Sequence, residues 1–240
     1  MQSTEADKST VVISFSGIDG SGKSTQIREL CEQLRNNHRT IQLLTFWDDV
    51  ASFKHIRDFA GRQIFGGDPG VGTPQAPIRR RDKDVQTFFM TFVRVGIYFI
   101  DALLLRRTVA RALKSGADVV IFDRYIYDQI VNLNLHNPFL RWYIPLILKL
   151  APAPDLALLL DADPAAARAR KPEYPVEFLR TNREAYLWLS RLVSGITVIP
   201  PLPAEQVQAK IVALVASSAA SDVLPITPNR PAVFGENPGA

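Results

Sequence analysis

The sequence predicts an α/β fold in which a mostly parallel sheet is covered by helices on both faces. Three observations predict it. Short, fully apolar runs recur along the chain, and strands without polar alternation belong to sheets buried on both sides. These runs alternate with segments of helical spacing, the pattern that builds parallel sheets. One run passes through a glycine-rich turn straight into a helical segment, and the rest of the chain is organised around that unit.

Val11 to Phe15 is the first strand, apolar and β-branched. Residues Gln26–Leu34 place Ile27, Leu30, Cys31 and Leu34 on one helical face. Between them, Gly17, Gly22, Lys23 and Ser24 fit G-x-x-x-x-G-K-[ST], in the strand–loop–helix context that the pattern requires. A loop that wraps a phosphate must turn its N–H groups inward, and Gly17, Gly20 and Gly22 permit this. The helix that follows adds its positive dipole end. The segment Gly17, Asp19, Gly20, Ser21, Gly22, Lys23, Ser24 and Thr25 is therefore the candidate phosphate-binding loop. Lys23 would reach the β- and γ-phosphates, and Ser24 would set its hydroxyl on Mg²⁺.

The second strand is Thr40–Phe46, ending at Trp47-Asp48-Asp49. A helix is expected over Ser52 to Phe65, then a Gly- and Pro-rich loop over Gly66–Pro77 that ends in Arg79-Arg80-Arg81-Asp82-Lys83. That basic run reads as solvated rather than as a nucleic-acid footprint. A long apolar helix is expected from Asp84 to Ser115, capped at Gly116. Val119–Phe122 is the third strand, ending in Asp123-Arg124-Tyr125. Helices are expected over Asp128–Asn134 and Pro138–Leu150. Leu156–Leu160 is the fourth strand, ending in Asp161. Helices over Pro164–Arg170 and Val176–Val193 flank Lys171–Pro175. Thr197–Ile199 is the last strand and Ala204–Ala216 the last helix. The domain spans residues 10–216, with a disordered N-terminal tail over 1–9 and a Pro-, Ala- and Ser-rich C-terminal tail over 217–240.

The 240 residues suffice for one sizeable core. A formal charge of +4 suits an anionic small molecule and does not call for nucleic acid. The single cysteine, Cys31, excludes a disulfide framework within the chain, and the start of the sequence lacks a signal-like apolar segment. Both favour a cytoplasmic protein. The longest apolar stretch, Trp142–Leu160, is broken by prolines and charges and is not a membrane span.

In open parallel sheets the ligand lies beyond the carboxyl ends of the strands. Asp123 stands where a second magnesium carboxylate belongs, and Arg124 beside it can fork two oxygens of an acceptor phosphate. The other view of Asp123 is a helix cap. Arg168, Arg170, Lys171, Arg180 and Arg183 would place positive charge over a moving phosphoryl group. Glu177–Arg180 and Arg180–Glu184 also have the spacing of ordinary surface pairs.

These residues resemble the thymidylate kinase family. The similarity lies in Phe15 before the loop, Asp19-Gly20 within it, Asp123-Arg124-Tyr125, the lid start Leu160-Asp161 with Pro164, Arg168 and Arg170, and Phe178 and Tyr186 after the lid. It implies a P-loop NTPase three-layer sandwich with a central, mostly parallel five-stranded sheet. It also implies ATP, Mg²⁺ and phosphorylation of dTMP to dTDP. Lys23 and the loop would hold ATP, and Ser24 and Asp123 would serve the metal. Asp19 would meet the acceptor sugar and Arg124 the acceptor phosphate. Arg168 and Arg170, in a lid over about 168–183, would close on the transferring group. A homodimer on the long helix is also implied.

The sequence departs from that family chiefly on the acceptor side. Ser16 replaces a usual Glu, Asp128 a usual Ser, and Asn132-Leu133 a usual Tyr-Gln. An Arg- and Pro-containing turn is replaced by Thr45–Val50. Arg94 is the candidate second acceptor arginine, with Arg106 its competitor. These departures leave open a kinase acting on a hydroxyl of a nucleoside, sugar or other small molecule. Asp48 or Asp49 would then be the base and Trp47 a stacking surface. A nucleotide-binding regulator without an acceptor is a third class, disfavoured by Arg124 and the lid arginines.

Overall fold

The computed structural model describes residues 10–51, 88–133 and 138–218. Five strands form one sheet in the order β2-β3-β1-β4-β5, every neighbouring pair parallel. They are β1 (Val11–Ser16), β2 (Ile41–Thr45), β3 (Val119–Asp123), β4 (Leu156–Leu160) and β5 (Ile196–Ile199). Around them lie α1 (Lys23–Asn36), a π-helical turn (Phe46–Val50), α2 (Phe88–Ala112), α3 (Ile126–Ile130), α4 (Pro138–Leu150), α5 (Pro164–Arg170), α6 (Val176–Leu192) and α7 (Ala204–Ser217).

The pleat sends alternate side chains to opposite faces, and this divides the core in two. Val11, Ile13, Phe15, Ile121, Leu158 and Leu160 pack under α1 and α7. Val12, Val120, Phe122, Ala157 and Leu159 pack on the other face, with residues of α2, α3, α4 and α6. The central strands are buried on both sides, which is why they read as unbroken apolar runs. The same parity fixes polar residues further along. Ser16 continues the face toward α3 and α6, whereas Asp123 continues the face toward α1.

The register brings the strand ends together. Thr45 lies beside Asp123, and Asp123 beside Phe15. All carboxyl ends therefore share one edge, and the loops that leave them form one rim.

Elements differ from the expected bounds for local reasons. The first helix begins at Lys23 rather than Gln26, because the glycine loop runs directly into it. The helix expected over Asp128–Asn134 is the short α3, ending at Ile130. Asn132 Nδ2 donates to the Asp128 carbonyl oxygen at 2.6 Å, a side-chain bond that competes with further helix. The long helix ends at Ala112 and closes through tight turns to Gly116, which adopts φ 78°. The tails 1–9 and 219–240, the helix and loop expected over 52–77, the basic run 79–83 and the first residues of the long helix lie outside the described residues. Among the described residues no helix is long and apolar enough to cross a membrane.

Candidate active site

The glycine loop is shaped by contacts that leave no room for a Cβ. At Gly17 a Cβ would lie 2.5 Å from the Leu160 carbonyl oxygen, so the loop sits against the end of β4. At Gly20, φ is +80° and a Cβ would lie 2.3 Å from the Ala167 carbonyl oxygen. The loop is thus packed directly on α5. Lys23 is buried, 6 % exposed, and donates from Nζ to the carbonyl oxygens of Gly17 at 2.8 Å and Ile18 at 2.9 Å. Burial, with the Arg124 charge added, pulls its ammonium down to about 8. Ser24 and Thr25 are exposed on the first turn of α1, and Ser21 is half-buried.

Arg124 follows β3, and its N–H donates to the Phe15 carbonyl oxygen at 2.9 Å. Its φ is +70°, a left-handed conformation rarely adopted by a residue with a side chain. This turn swings the guanidinium back toward the loop. Nη2 meets the Asp19 carboxylate, and Nη1 donates to Asp128 Oδ1 at 3.1 Å. The side chain remains 21 % exposed, reaching Asp19 on the glycine loop and Asp128 on α3. Burial pushes Asp19 up, but Arg124, Lys23 and Lys171 together hold it below the usual carboxylate range.

Asp123 ends β3, and its carboxylate accepts no hydrogen bond among the described residues. Burial raises its carboxyl above the usual range, against the pull of Lys23 and Arg124. The Asp123 carboxylate and the exposed Ser24 hydroxyl are the groups here that suit a divalent cation. No group of three or more His, Cys, Asp or Glu side chains could hold a metal by itself among the described residues.

The basic residues after β4 separate into distinct roles. Arg170 Nε donates to the Gly20 carbonyl oxygen at 2.8 Å, tying the end of α5 to the loop. Arg183 forks Asp161 with bonds of 2.6 and 2.7 Å, which brackets the segment between β4 and α6. Lys171 pairs with Glu173 at 3.3 Å. Arg180 turns to Glu177 at 2.9 Å on the surface, the ordinary pair that the spacing allowed. Arg168 is half-buried on α5.

On the acceptor side, Asp49 Oδ2 accepts from the Thr45 N–H at 2.6 Å and closes the π-helical turn. Asp48 occupies the same turn, which packs on α2. Arg94 is half-buried in α2, whereas Arg106 is exposed. Because α2 ends just before β3 begins, its start points toward the strands' carboxyl edge. Arg94 therefore lies toward the cleft and Arg106 away from it.

One cluster escaped sequence reasoning. Asp128 accepts from Ser16 Oγ at 2.6 Å, from the Tyr125 N–H at 3.1 Å and from Tyr186 OH at 2.7 Å, besides Arg124. The signal available was the i,i+4 spacing of Arg124 and Asp128.

No family model matches the chain. Curated relatives do. A thymidylate kinase of Symbiobacterium thermophilum is 31% identical over 196 residues, covering 76% of this chain and 80% of that protein. A probable thymidylate kinase of Pyrobaculum calidifontis is 28% identical over 218 residues, covering 87% and 97%. One from Methanosphaera stadtmanae is 28% identical over 199 residues, covering 81% and 91%. With the glycine loop, the Asp123-Arg124-Tyr125 strand end and the all-parallel sheet in place, this similarity along most of its length makes the chain a member of the thymidylate kinase family, phosphotransferases that act on nucleotides.

Proposed function

We propose that the protein transfers the terminal phosphoryl group of ATP to dTMP, giving dTDP, with Mg²⁺ as cofactor. The observation that carries this is Arg124, turned by its left-handed backbone to the rim of the cleft beside the phosphate loop. A guanidinium there suits a second phosphorylated molecule.

The loop from Gly17 to Thr25 would wrap the donor phosphates. Lys23, released from the Gly17 and Ile18 carbonyl oxygens, would move to the β- and γ-oxygens. Ser24 and Asp123 would hold the metal, whose charge offsets that developing on the transferring group. Asp19 would orient the acceptor sugar, and Arg124 and Arg94 its phosphate. Arg168 and Arg170 would lie over the transferring group and exclude water. The acceptor phosphate is already an anionic nucleophile, so no base is required. The bond from Asp49 to the Thr45 N–H supports a structural part for that residue.

We assign the enzyme to the cytoplasm, in keeping with a single buried cysteine. We also propose a homodimer through α2, which exposes Phe99, Ile100 and Leu103, and α4, which exposes Phe139, Trp142 and Leu146. Sedimentation should then give twice the chain mass.

The test is a panel of acceptors with ATP and Mg²⁺: dTMP, other monophosphates, nucleosides and sugars. Turnover of dTMP, little changed in Asp48→Asn, is the expected result. Turnover of thymidine or a sugar but not of any monophosphate, abolished in Asp48→Asn or Asp49→Asn, would replace it with a hydroxyl kinase.

A further inference from the structure

We propose that Asp128 is the positioning residue of the acceptor site. It holds Arg124 in its strained conformation and is itself held by the Ser16 hydroxyl. The inference rests on the reading of Arg124 as the acceptor-phosphate ligand.

Asp128 is 2 % exposed, and a buried carboxylate is tolerated only when its oxygens are satisfied. A carboxylate can accept about four bonds, and here each oxygen takes two. Oδ2 accepts from Ser16 Oγ and from the Tyr125 N–H; Oδ1 accepts from Arg124 Nη1 and Tyr186 OH. Three of these donors fix the carboxylate from β1, from the backbone after Arg124 and from α6. The fourth is the arginine itself. The bond to the Tyr125 N–H pins the chain just past the left-handed residue, and the bond to Nη1 aims its side chain. Asp19 takes the other terminal nitrogen, Nη2, but is itself 21 % exposed and borne on the phosphate loop. Asp128 is thus the fixed anchor and Asp19 the partner that an incoming phosphate can displace.

Ser16 and Asp128 meet at 2.6 Å, so a hydroxyl of β1 is bonded to the carboxylate of α3, the element that follows Arg124. Through Tyr186 the anchor also reaches the helix after the arginine-rich segment.

The experiment compares wild type with Asp128→Ser, Ser16→Glu and the double exchange, measuring kcat and separate KM values for dTMP and ATP. Asp128→Ser is expected to raise the dTMP KM about tenfold or more, the effect of a lost hydrogen bond to a charged group, while the ATP KM stays within about twofold. Ser16→Glu sets two carboxylates together and should also be impaired. The double exchange should recover the dTMP KM to within about threefold of wild type. A purely structural part would lower the melting temperature and the active fraction without singling out one substrate. An unchanged dTMP KM in Asp128→Ser, an equal rise in both KM values, or a double exchange no better than the worse single variant would overturn the inference. Where Asp128→Ser yields no folded protein, Asp128→Asn keeps the shape, and the same selective rise is required of it. Failure of the underlying reading is seen separately, as wild-type protein that turns over no monophosphate.

Discussion

Arg170 Nε donates to the Gly20 carbonyl oxygen at 2.8 Å, so the last residue of α5 is bonded to the middle of the phosphate loop. The bond makes the loop and the arginine-rich segment one mechanical unit. It also separates this arginine from Arg180, which pairs with Glu177 at the surface.

Arg170→Ala should therefore lower kcat by about a hundredfold, the scale of losing one charge over a transferring group. Arg180→Ala should stay within about twofold, since exposed pairs contribute little. Steady-state rates of the two variants check the contrast. Equal losses would place both arginines in the chemistry.

Gly20→Ala should destabilise the fold by about 3 kcal/mol, because the new methyl group meets the Ala167 carbonyl oxygen at a left-handed residue. Gly22→Ala meets nothing within 4 Å and carries only the backbone cost of φ +94°, about 1 kcal/mol. Urea unfolding of the two variants measures the difference.

In the proposed role Lys23 would bind phosphate only as a cation, and burial, with the Arg124 charge, pulls its ammonium down to about 8. Below that pH the free enzyme carries the charge; as pH rises through it the charge is lost. The ATP KM should be flat from pH 6.5 to 7.5 and then climb by up to about tenfold per unit above 8. ATP binding near pH 8.5 should take up protons, seen as a dependence of calorimetric heat on buffer ionisation. No uptake would mean that the ammonium is already fully protonated there.

Asp123→Asn removes one negative ligand from the proposed cation site. The Mg²⁺ concentration for half-maximal rate should rise about tenfold, with the dTMP KM little altered. Because burial disfavours the charged form of Asp123, the substitution should not lower the melting temperature.

The strand, glycine turn and helix at residues 11–36 were legible because their pattern is local, and the structure sets the turn between β1 and α1. The order of strands and helices was legible for the same reason, since apolar runs and helical spacing are short-range patterns. Long-range polar pairing was not. Ser16 and Asp128 are 112 residues apart, and only the sheet register and the pleat bring them face to face. Nor could spacing decide which arginine serves what. Arg180 and Arg183 lie in one helix, yet one meets a neighbour three residues away and the other a carboxylate at the end of β4.

Arg124 occupies a backbone conformation that suits glycine better than any side chain. Shortening it to alanine would keep the twist and forfeit the grip of Asp19 and Asp128, whereas glycine would relieve the twist while giving up the same grip. The glycine variant should thus be the sturdier of two equally inactive enzymes, by about 1 kcal/mol. If Arg124 serves the acceptor as proposed, it does so against the grain of the chain, and a screen for heat resistance alone would tend to erase it.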